Sequence, residues 1–413
     1  MMALIDALAL PNTRGRVPLI VAQAVDALGT GLFLPFAVVY FHAAKGIPLT
    51  TVGAILSVAA LLSLPAGPLT GQLVDRFGPR RVVIASLLIR VLTFGGYVFA
   101  DVPWQLVVLV TITLWGESMF WPGAAALVAQ VADDGQRVRW YAMERALRNV
   151  GIGVGGLVGS VLVTWGGTGG YTAVVLLNAI SFLAAAGLFA SWRSGEPPRR
   201  ADGRPRERGG YREVLSDRAF LGVLTTVCVF ALCDLALTVL MSAYVIEARG
   251  LPAWQPGVLF AINTALVVLA QTAVAGMIER HRRTRVLQLA AGIWVVSFAL
   301  FAMVPSGDAG MALGLLALGM VVFTVAELLQ APTSSALTVA IAAEHLRGRY
   351  LGLEELMWSV ARVMAPAGFT WLLAKGPVLP WLALSACCLG AVLVLRRLER
   401  VLPGHARRET AGV

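Results

Sequence analysis

Charged residues are scarce in this sequence. Asp, Glu, Lys and Arg together make up 14% of its 413 residues, whereas a soluble domain carries about a quarter. Residues with hydrophobic side chains make up 58% of the chain. So few charges exclude a large water-facing surface, and the composition therefore predicts an integral membrane protein built from apolar segments.

Residues that bind metals or perform nucleophilic and acid–base chemistry are also few. The cysteines lie within apolar runs and lack metal or redox spacing, and the histidines fall in loops or near helix ends: Cys228, Cys233, Cys387, Cys388, His42, His281, His345 and His405. No nucleophile–base pair and no metal-ligand pattern is recognisable. We therefore predict neither an enzyme nor a protein with a bound cofactor or metal.

Long hydrophobic runs are the main feature that is present. A helix needs about 20 apolar residues to cross a bilayer, and twelve such segments are predicted, at residues 17–41, 50–74, 82–100, 104–131, 142–164, 170–192, 218–245, 256–278, 285–305, 310–340, 351–374 and 378–398. The polar stretch 193–217 is rich in Pro, Gly and Arg and is predicted to be a cytoplasmic linker. It separates an N-terminal six-helix bundle, 1–192, from a C-terminal one, 218–413.

Basic residues are distributed unevenly between the predicted loops. With the N-terminus inside, the loops on the outer side hold only Lys45, Arg249 and Lys375. Because cytoplasmic loops carry the Lys and Arg excess, both termini and the linker are predicted to be cytoplasmic. The net charge of +10 then reflects topology and contact with anionic membrane lipid, and not nucleic-acid binding.

The two halves of the chain contain an internal repeat. When the sequence is shifted by 210 residues, polar residues coincide without a gap: Glu117 with Glu327, Pro122 with Pro332, Arg139 with Arg349 and Glu144 with Glu354. Predicted helices 4 and 5 therefore correspond to helices 10 and 11. An all-α protein of two parallel six-helix repeats is expected, with the substrate in a central cavity between them.

The loop after predicted helix 2 carries a recognisable motif, "GQLVDRFGPRRVV", at residues 71–83. It resembles the G-x-L-x-D-R-x-G-[RK]-[RK] signature of the major facilitator superfamily, except that Pro79 replaces the first basic residue. The residues that carry the resemblance are Gly71, Leu73, Asp75, Arg76, Gly78 and Arg80, and Arg81 follows them. The resemblance implies a conformational latch that holds the cytoplasmic side closed in the outward-open state.

The chemistry of this loop suggests how such a latch would work. Gly71 is expected to permit close helix packing, and Gly78 a tight turn. Asp75 is expected to form a charge network with the neighbouring arginines. The alternative interpretation is an ordinary positively charged cytoplasmic loop.

Predicted helix 5 has a regular row of glycines, Gly151, Gly155 and Gly159. It resembles the helix-5 pattern of the antiporter branch of the family, with Gly156 in place of the usual proline. The alternative is general packing of small residues spaced four apart. Predicted helix 4 lacks the arginine that this branch often carries, which makes the usual proton-coupling arrangement of the branch doubtful for this chain.

Four acids lie deep within predicted helices 1, 4, 7 and 10, which line the central cavity in the family: Asp26, Glu117, Asp234 and Glu327. Acids inside membrane helices are usually functional, and these could carry protons and bind a cationic substrate. The alternative is structural pairing, with Arg90, Arg148 or Arg362, or by hydrogen bonds with Gln23, Gln271 or Asn263. Arg362 needs a counter-ion, for which Glu327 and Asp234 are the candidates.

Two further sets of residues are predicted around these acids. Charged residues near the cytoplasmic ends are expected to form gating contacts: Arg139, Glu144, Arg148, Arg349, Glu354 and Glu355. Aromatic residues are candidates for a cavity wall that suits lipophilic cations, although each could instead fill a helix contact: Phe33, Phe36, Tyr40, Trp115, Phe120, Trp121, Tyr244 and Trp358.

Together these features predict a secondary transporter of the bacterial inner membrane that works by alternating access. The resemblance to drug:proton antiporters implies efflux of lipophilic or cationic small molecules, with protons as the coupling ion and a monomeric chain. The alternatives are a proton-coupled importer of a sugar, peptide or other metabolite, an exporter of lipid or peptide, and a membrane receptor that transports nothing.

Overall fold

The described part of the chain is helical and divides into two units. The computed structural model describes residues 16–131, 137–192, 214, 216–278, 281–306, 308–342 and 346–401. The contacts between Cα atoms separate Met1–Asp202 from Gly203–Val413. This division falls within 193–217, the predicted linker, and most of that stretch lies outside the described residues.

The first unit contains helices α1 to α6. Helix α1 spans Val17–Ala44 and includes the 3₁₀ turn Leu34–Phe36 and the π-helical turn Tyr40–Ala44; α2 consists of Leu49–Ser63 and Ala66–Phe77; α3 is Pro79–Phe99, α4 is Pro103–Val131, and α5 and α6 are the two parts of Arg137–Ser191 on either side of Gly167. Gly167 has φ 52° and ψ −130°, a conformation that ends one helix and starts the next without a long loop.

The second unit contains helices α7 to α12. Helix α7 spans Arg218–Leu240 and ends in the π-helical turn Ala236–Leu240, after which a further π-helical turn covers Ala243–Ala248; α8 is Gln255–Ile278, α9 is Arg283–Ala302, α10 is Ala309–Ile341, α11 is Arg347–Lys375 and α12 is Leu379–Val401. Two acidic side chains cap helix N-termini here: Asp217 accepts from the first backbone N–H groups of α7, and Asp308 from those of α10.

The described residues contain six membrane-spanning segments in each unit, as the hydrophobic runs predict. The two parts of α2 are bent by 47° and together form one span. Pro65 lies at this bend, where its missing N–H interrupts the helical hydrogen bonds. Helices α5 and α6 follow one another without a loop, and the non-helical conformation of Gly167 separates them into two spans.

The glycines of α5 face α1 at backbone contact distance. A Cβ atom added at Gly151 would lie 2.6 Å from Ala27 Cβ, and one at Gly159 would lie 2.6 Å from the carbonyl oxygen of Leu32. At Gly155 the nearest atom would be the carbonyl oxygen of Leu28. The glycine row therefore packs α5 against α1 within the first unit, which is the packing alternative that the sequence leaves open.

The predicted latch loop has only part of the expected geometry. Gly78 makes the tight turn between α2 and α3 with φ 81°. A Cβ atom at Gly71 would meet nothing within 4 Å, so the expectation that Gly71 permits close packing is wrong in this structure. Asp75 is exposed. Arg80 donates to the carbonyl oxygens of Phe189 and Ala190, and thus caps the end of α6, where a cation is favourable.

A similar contact to the third helix is made by the end of α1 in the first unit and by the π-helical turn after α7 in the second. In the first unit, the Tyr40 hydroxyl donates to Tyr97 O on α3, and Lys45 Nζ donates to Val98 O at 2.6 Å. In the second unit, the Tyr244 hydroxyl donates to Phe301 O on α9, and Arg249 Nη2 donates to Ala302 O at 3.2 Å. The motifs "KGIP" at 45–48 and "RGLP" at 249–252 mark these contacts in the sequence, although the shift of 210 residues does not align them.

Substitution of Gly155 by Ala is expected to destabilise the first unit. The added methyl group would overlap with the backbone of α1, and such overpacking typically costs about 1–3 kcal/mol. Gly187→Ala is the matched control, since a Cβ atom there meets nothing within 4 Å. Thermal unfolding of both variants in detergent should show a lower midpoint for Gly155→Ala only. Equal midpoints would contradict the close contact between α1 and α5.

Candidate functional site

Asp26 of the first unit forms a buried ion pair. Arg90 Nη1 on α3 lies 3.0 Å from Asp26 Oδ1, and the two side chains are 7% and 6% exposed. Arg90 Nη2 also donates to Thr30 Oγ1 at 3.2 Å, and its guanidinium lies 3.7 Å from the ring centroid of Phe182. Since Asp26 has a fixed cationic partner, the structural alternative predicted for this acid describes it best.

A second group of charged side chains lies beside this pair. Gln23 Nε2 donates to Glu144 Oε1 at 3.2 Å, and the Arg148 guanidinium lies 4.7 Å from the centroid of Trp121. These residues line a small pocket together with Asp26, Ala27 and Phe120. Glu144 and Arg148, predicted as gating residues, thus lie in the same cluster as Asp26.

Glu117 on α4 is exposed and is close enough to Asp26 and Arg148 to interact electrostatically with both. Trp121, one helical turn further along α4, is 37% exposed and lines the same small pocket. The charged cluster of the first unit therefore contains three acids, Asp26, Glu117 and Glu144, and two arginines, Arg90 and Arg148. Glu117 is therefore the accessible acid of a cluster in which Asp26 already has its own counter-ion.

The second unit places two acids beside one another. Asp234 lies on α7 and Glu327 on α10, and Glu327 is the neighbour whose charge acts on Asp234. Asn263 of α8 donates through Nδ2 to Glu327 Oε2 at 2.7 Å and to Thr324 Oγ1 at 3.0 Å. Asp234 Oδ1 is buried and has no hydrogen-bond partner within the described part of the chain. Two neighbouring carboxylates disfavour double ionisation because their negative charges repel.

The family model of the Major Facilitator Superfamily matches residues 19–366. The chain belongs to this family. It is a multi-pass membrane transporter of small molecules. Multidrug resistance protein MdtH of Cronobacter sakazakii is 25% identical over 411 residues, which cover 96% of this chain and 98% of the relative. The MdtH protein of Photorhabdus laumondii is 24% identical, with 93% and 94% covered.

Solved structures show the same fold at low sequence identity. The nucleoside transporter NupG, in a mutant form, has a TM-score of 0.78 and 12% identity, with 93% of this chain and 99% of that chain covered. A POT family transporter in complex with a thioalcohol-conjugated peptide has a TM-score of 0.72 and 13% identity, with 95% and 98% covered. At such identities these structures support the facilitator fold alone.

Arg362 of this facilitator has a different partner from the one expected. Its Nη2 lies 2.8 Å from Glu355 Oε1, and the two side chains are 52% and 65% exposed. The expectation that Arg362 is the counter-ion of Glu327 or Asp234 is therefore wrong in this structure. Both residues lie on α11, where the sequence places Arg362 seven positions after Glu355 and their long side chains can meet at the helix surface.

The remaining predicted gating residues lie at the ends of helices. Glu354 is buried, with 8% of its surface exposed, and Arg349 lies in the first turn of α11. Arg139 belongs to α5, and its side chain lies outside the described residues.

Half of the predicted cavity aromatics are core residues. Phe36, Tyr40 and Tyr244 are at most 1% exposed, so the prediction that they line an open cavity is wrong in this structure. Phe120 is 2% exposed and lines only the small pocket beside Asp26. The rings pack inside their own units: Phe36 contacts Tyr171, Tyr40 contacts Phe33, Phe120 contacts Phe189 and Tyr244 contacts Trp381. A sequence pattern cannot distinguish an aromatic in a helix contact from one that lines a cavity, because both occupy the inner face of a helix.

The other aromatics retain some access to their surroundings. Phe33 and Trp358 are partly exposed. Trp115 donates its indole N–H to Leu62 O at 3.2 Å, where α2 approaches its bend. Of the three predicted aromatics closest to Glu117 in sequence, Trp121 is the most accessible. The guanidinium of Arg148 lies over its ring.

Removal of Arg90 alone is expected to cost far more stability than removal of the whole ion pair. Arg90→Leu leaves Asp26 as a buried charge without its partner, for which a loss of about 3–5 kcal/mol is typical. The double variant Asp26→Leu/Arg90→Leu removes both charges and should recover most of that loss. Thermal unfolding of the single and double variants in detergent measures the difference. A double variant no more stable than Arg90→Leu would show that the two residues do not depend on each other.

Proposed function

We propose that this facilitator exports lipophilic or cationic drugs by alternating access in exchange for protons. The curated relatives, whose lengths it matches almost completely, are called multidrug resistance proteins. The observation that carries the proton coupling is the carboxylate pair of Asp234 and Glu327, in which Asp234 Oδ1 is buried and without a hydrogen-bond partner among the described residues. We further propose a monomer in the bacterial inner membrane with cytoplasmic termini.

The carboxylate pair can hold one proton because its two charges repel each other in a medium of low dielectric constant. A proton arriving from the outer side binds a carboxylate oxygen of the pair and removes one negative charge. When the same site faces the cytoplasm, the proton leaves to water and the charge returns. One proton therefore enters with each cycle, and the titration belongs to the pair rather than to either residue alone.

The first unit supplies the contact for the substrate in this proposal. Asp26 is paired with Arg90, whereas Glu117 is exposed and lies one helical turn from Trp121. A carboxylate next to an aromatic ring suits a lipophilic cation, since both groups attract positive charge while the ring also accepts apolar surface. Cation binding and proton binding then use different acids of the two repeats.

Isosteric replacement of the carboxylates of the pair tests the coupling. In proteoliposomes with an imposed pH gradient, Asp234→Asn and Glu327→Gln are expected to lower proton-driven transport of tetraphenylphosphonium at least about tenfold, while exchange of the cation down its own gradient continues. Asp101→Asn changes an acid that is 84% exposed in the first unit and should transport normally. Full proton-driven transport in both variants of the pair would exclude this proton site. Proton movement in the same direction as the substrate would instead identify an importer.

Glu117→Gln is expected to weaken binding of cations selectively. Loss of one exposed carboxylate should raise the KM for tetraphenylphosphonium about three- to tenfold, which corresponds to about 0.6–1.4 kcal/mol. The KM for an uncharged lipophilic substrate should change little, since no charge contact is lost. Uptake by inverted vesicles, measured with both substrates, gives the comparison. An equal change for both would assign Glu117 a structural role.

A further inference from the structure

Asn263 connects α8 to the acid of α10 through both hydrogens of its amide group. The residue is 8% exposed. Its Nδ2 donates to Glu327 Oε2 at 2.7 Å and to Thr324 Oγ1 at 3.0 Å, so one amide group contacts two side chains one turn apart on α10. Every hydrogen on Nδ2 therefore has an acceptor.

Thr324 fixes which way this amide faces. Its hydroxyl donates its single hydrogen to Met320 O at 2.8 Å, so Thr324 Oγ1 can only accept from Asn263. The amide atom that faces α10 must then be the nitrogen, and the reversed orientation would set two acceptors against each other. In this orientation Glu327 Oε2 accepts a hydrogen bond from the amide, and such a bond favours the ionised form of a carboxylate.

We propose that Asn263, oriented by Thr324, is a positioning residue that holds Glu327 Oε2 as an acceptor and thereby directs the exchanged proton to Asp234 Oδ1. This inference rests on the proposed function. Asp234 Oδ1 is a buried carboxylate atom without a hydrogen-bond partner in the described chain, so its lone pairs are open to a proton, and Glu327 is the neighbour whose charge acts on it. A proton from water forms the O–H bond there, and the same bond breaks when the proton returns to water.

The helices that carry Asn263 and Glu327 contain no other titratable side chain. Helix α8 has no titratable side chain, and α10 has only Glu327; α9 has Arg283 and Arg285 in its first turn. Besides Asp234, α7 carries Arg218, Cys228 and Cys233. Helix α11 carries Arg347, Arg349, Tyr350, Glu354, Glu355, Arg362 and Lys375, of which Glu355 and Arg362 pair with each other. Helix α12 carries Cys387 and Cys388 and, towards its end, Arg396, Arg397, Glu399 and Arg400. Asp234 is thus the acid whose charge responds to the state of Glu327.

The pH dependence of proton-driven tetraphenylphosphonium transport in proteoliposomes tests this role. A hydrogen bond to a carboxylate favours its ionised form. Asn263→Leu removes that bond, so the pair should retain its proton to higher pH, and the midpoint of the transport-against-pH curve should rise by about one pH unit. Thr324→Val removes the acceptor that orients the amide and should give a smaller rise, whereas Thr324→Ser keeps the hydroxyl and should restore the original midpoint.

Ser297→Ala is the matched control for the loss of a buried hydrogen bond. The Ser297 hydroxyl of α9 donates to Gly319 O of α10 at 2.8 Å and does not contact either acid. This variant should lower the thermal unfolding midpoint without moving the pH curve. If Ser297→Ala shifts the pH curve as far as Asn263→Leu does, then any loss of a buried contact in the unit moves the curve. That result would overturn the inference.

The remaining outcomes separate this inference from the proposed function. If Glu327→Gln abolishes coupling but the curve of Asn263→Leu does not move, Asn263 has no positioning role and the function stands. If both Asp234→Asn and Glu327→Gln keep full coupling, the proposed function itself fails. Should Asn263→Leu fail to fold, Thr324→Val and Thr324→Ser carry the test, and identical midpoints for these two would overturn the inference.

Discussion

A carboxylate inside a membrane-spanning helix is costly unless another group balances its charge, and this constraint organises both units of the molecule. In the first unit, Asp26 meets Arg90 at 3.0 Å and the charge is neutralised by a permanent partner. In the second unit, the neighbour of Asp234 is Glu327, another acid, and balance requires a proton. The buried acid is thus balanced by a fixed arginine in the first repeat and, in the proposed function, by an exchangeable proton in the second.

This difference suits a transporter in which the two halves have separate tasks. Fixed pairs such as Asp26–Arg90 keep a bundle rigid, and the glycine contacts between α5 and α1 add close backbone packing around it. An acid pair that can gain or lose a proton changes its charge during the cycle. In the proposed function, the first repeat offers an accessible acid, Glu117, to the ligand, and the second repeat holds the acids that exchange the proton.

The sequence predicts the parts of the structure that depend on local chemistry. Hydrophobic length predicts the twelve spans, Gly78 predicts the turn after α2, and the spacing of Gly151, Gly155 and Gly159 predicts a packed helix face. It cannot predict partners that come from other helices. Glu117 and Glu327 are equivalent in the repeat, yet one is exposed and the other accepts a hydrogen bond from Asn263 of α8.

The contacts made with the third helix of each unit have a mechanical consequence. Lys45, directly after α1, and Arg249, directly after the π-helical turn Ala243–Ala248, donate to carbonyl oxygens at the ends of α3 and α9. The irregular turns Leu34–Phe36 and Ala236–Leu240 lie between these contacts and the buried acids Asp26 and Asp234. The turn Ala236–Leu240 begins two residues after Asp234. Bending at this turn would therefore move the carboxylate of Asp234 while the contact of Arg249 stays in place.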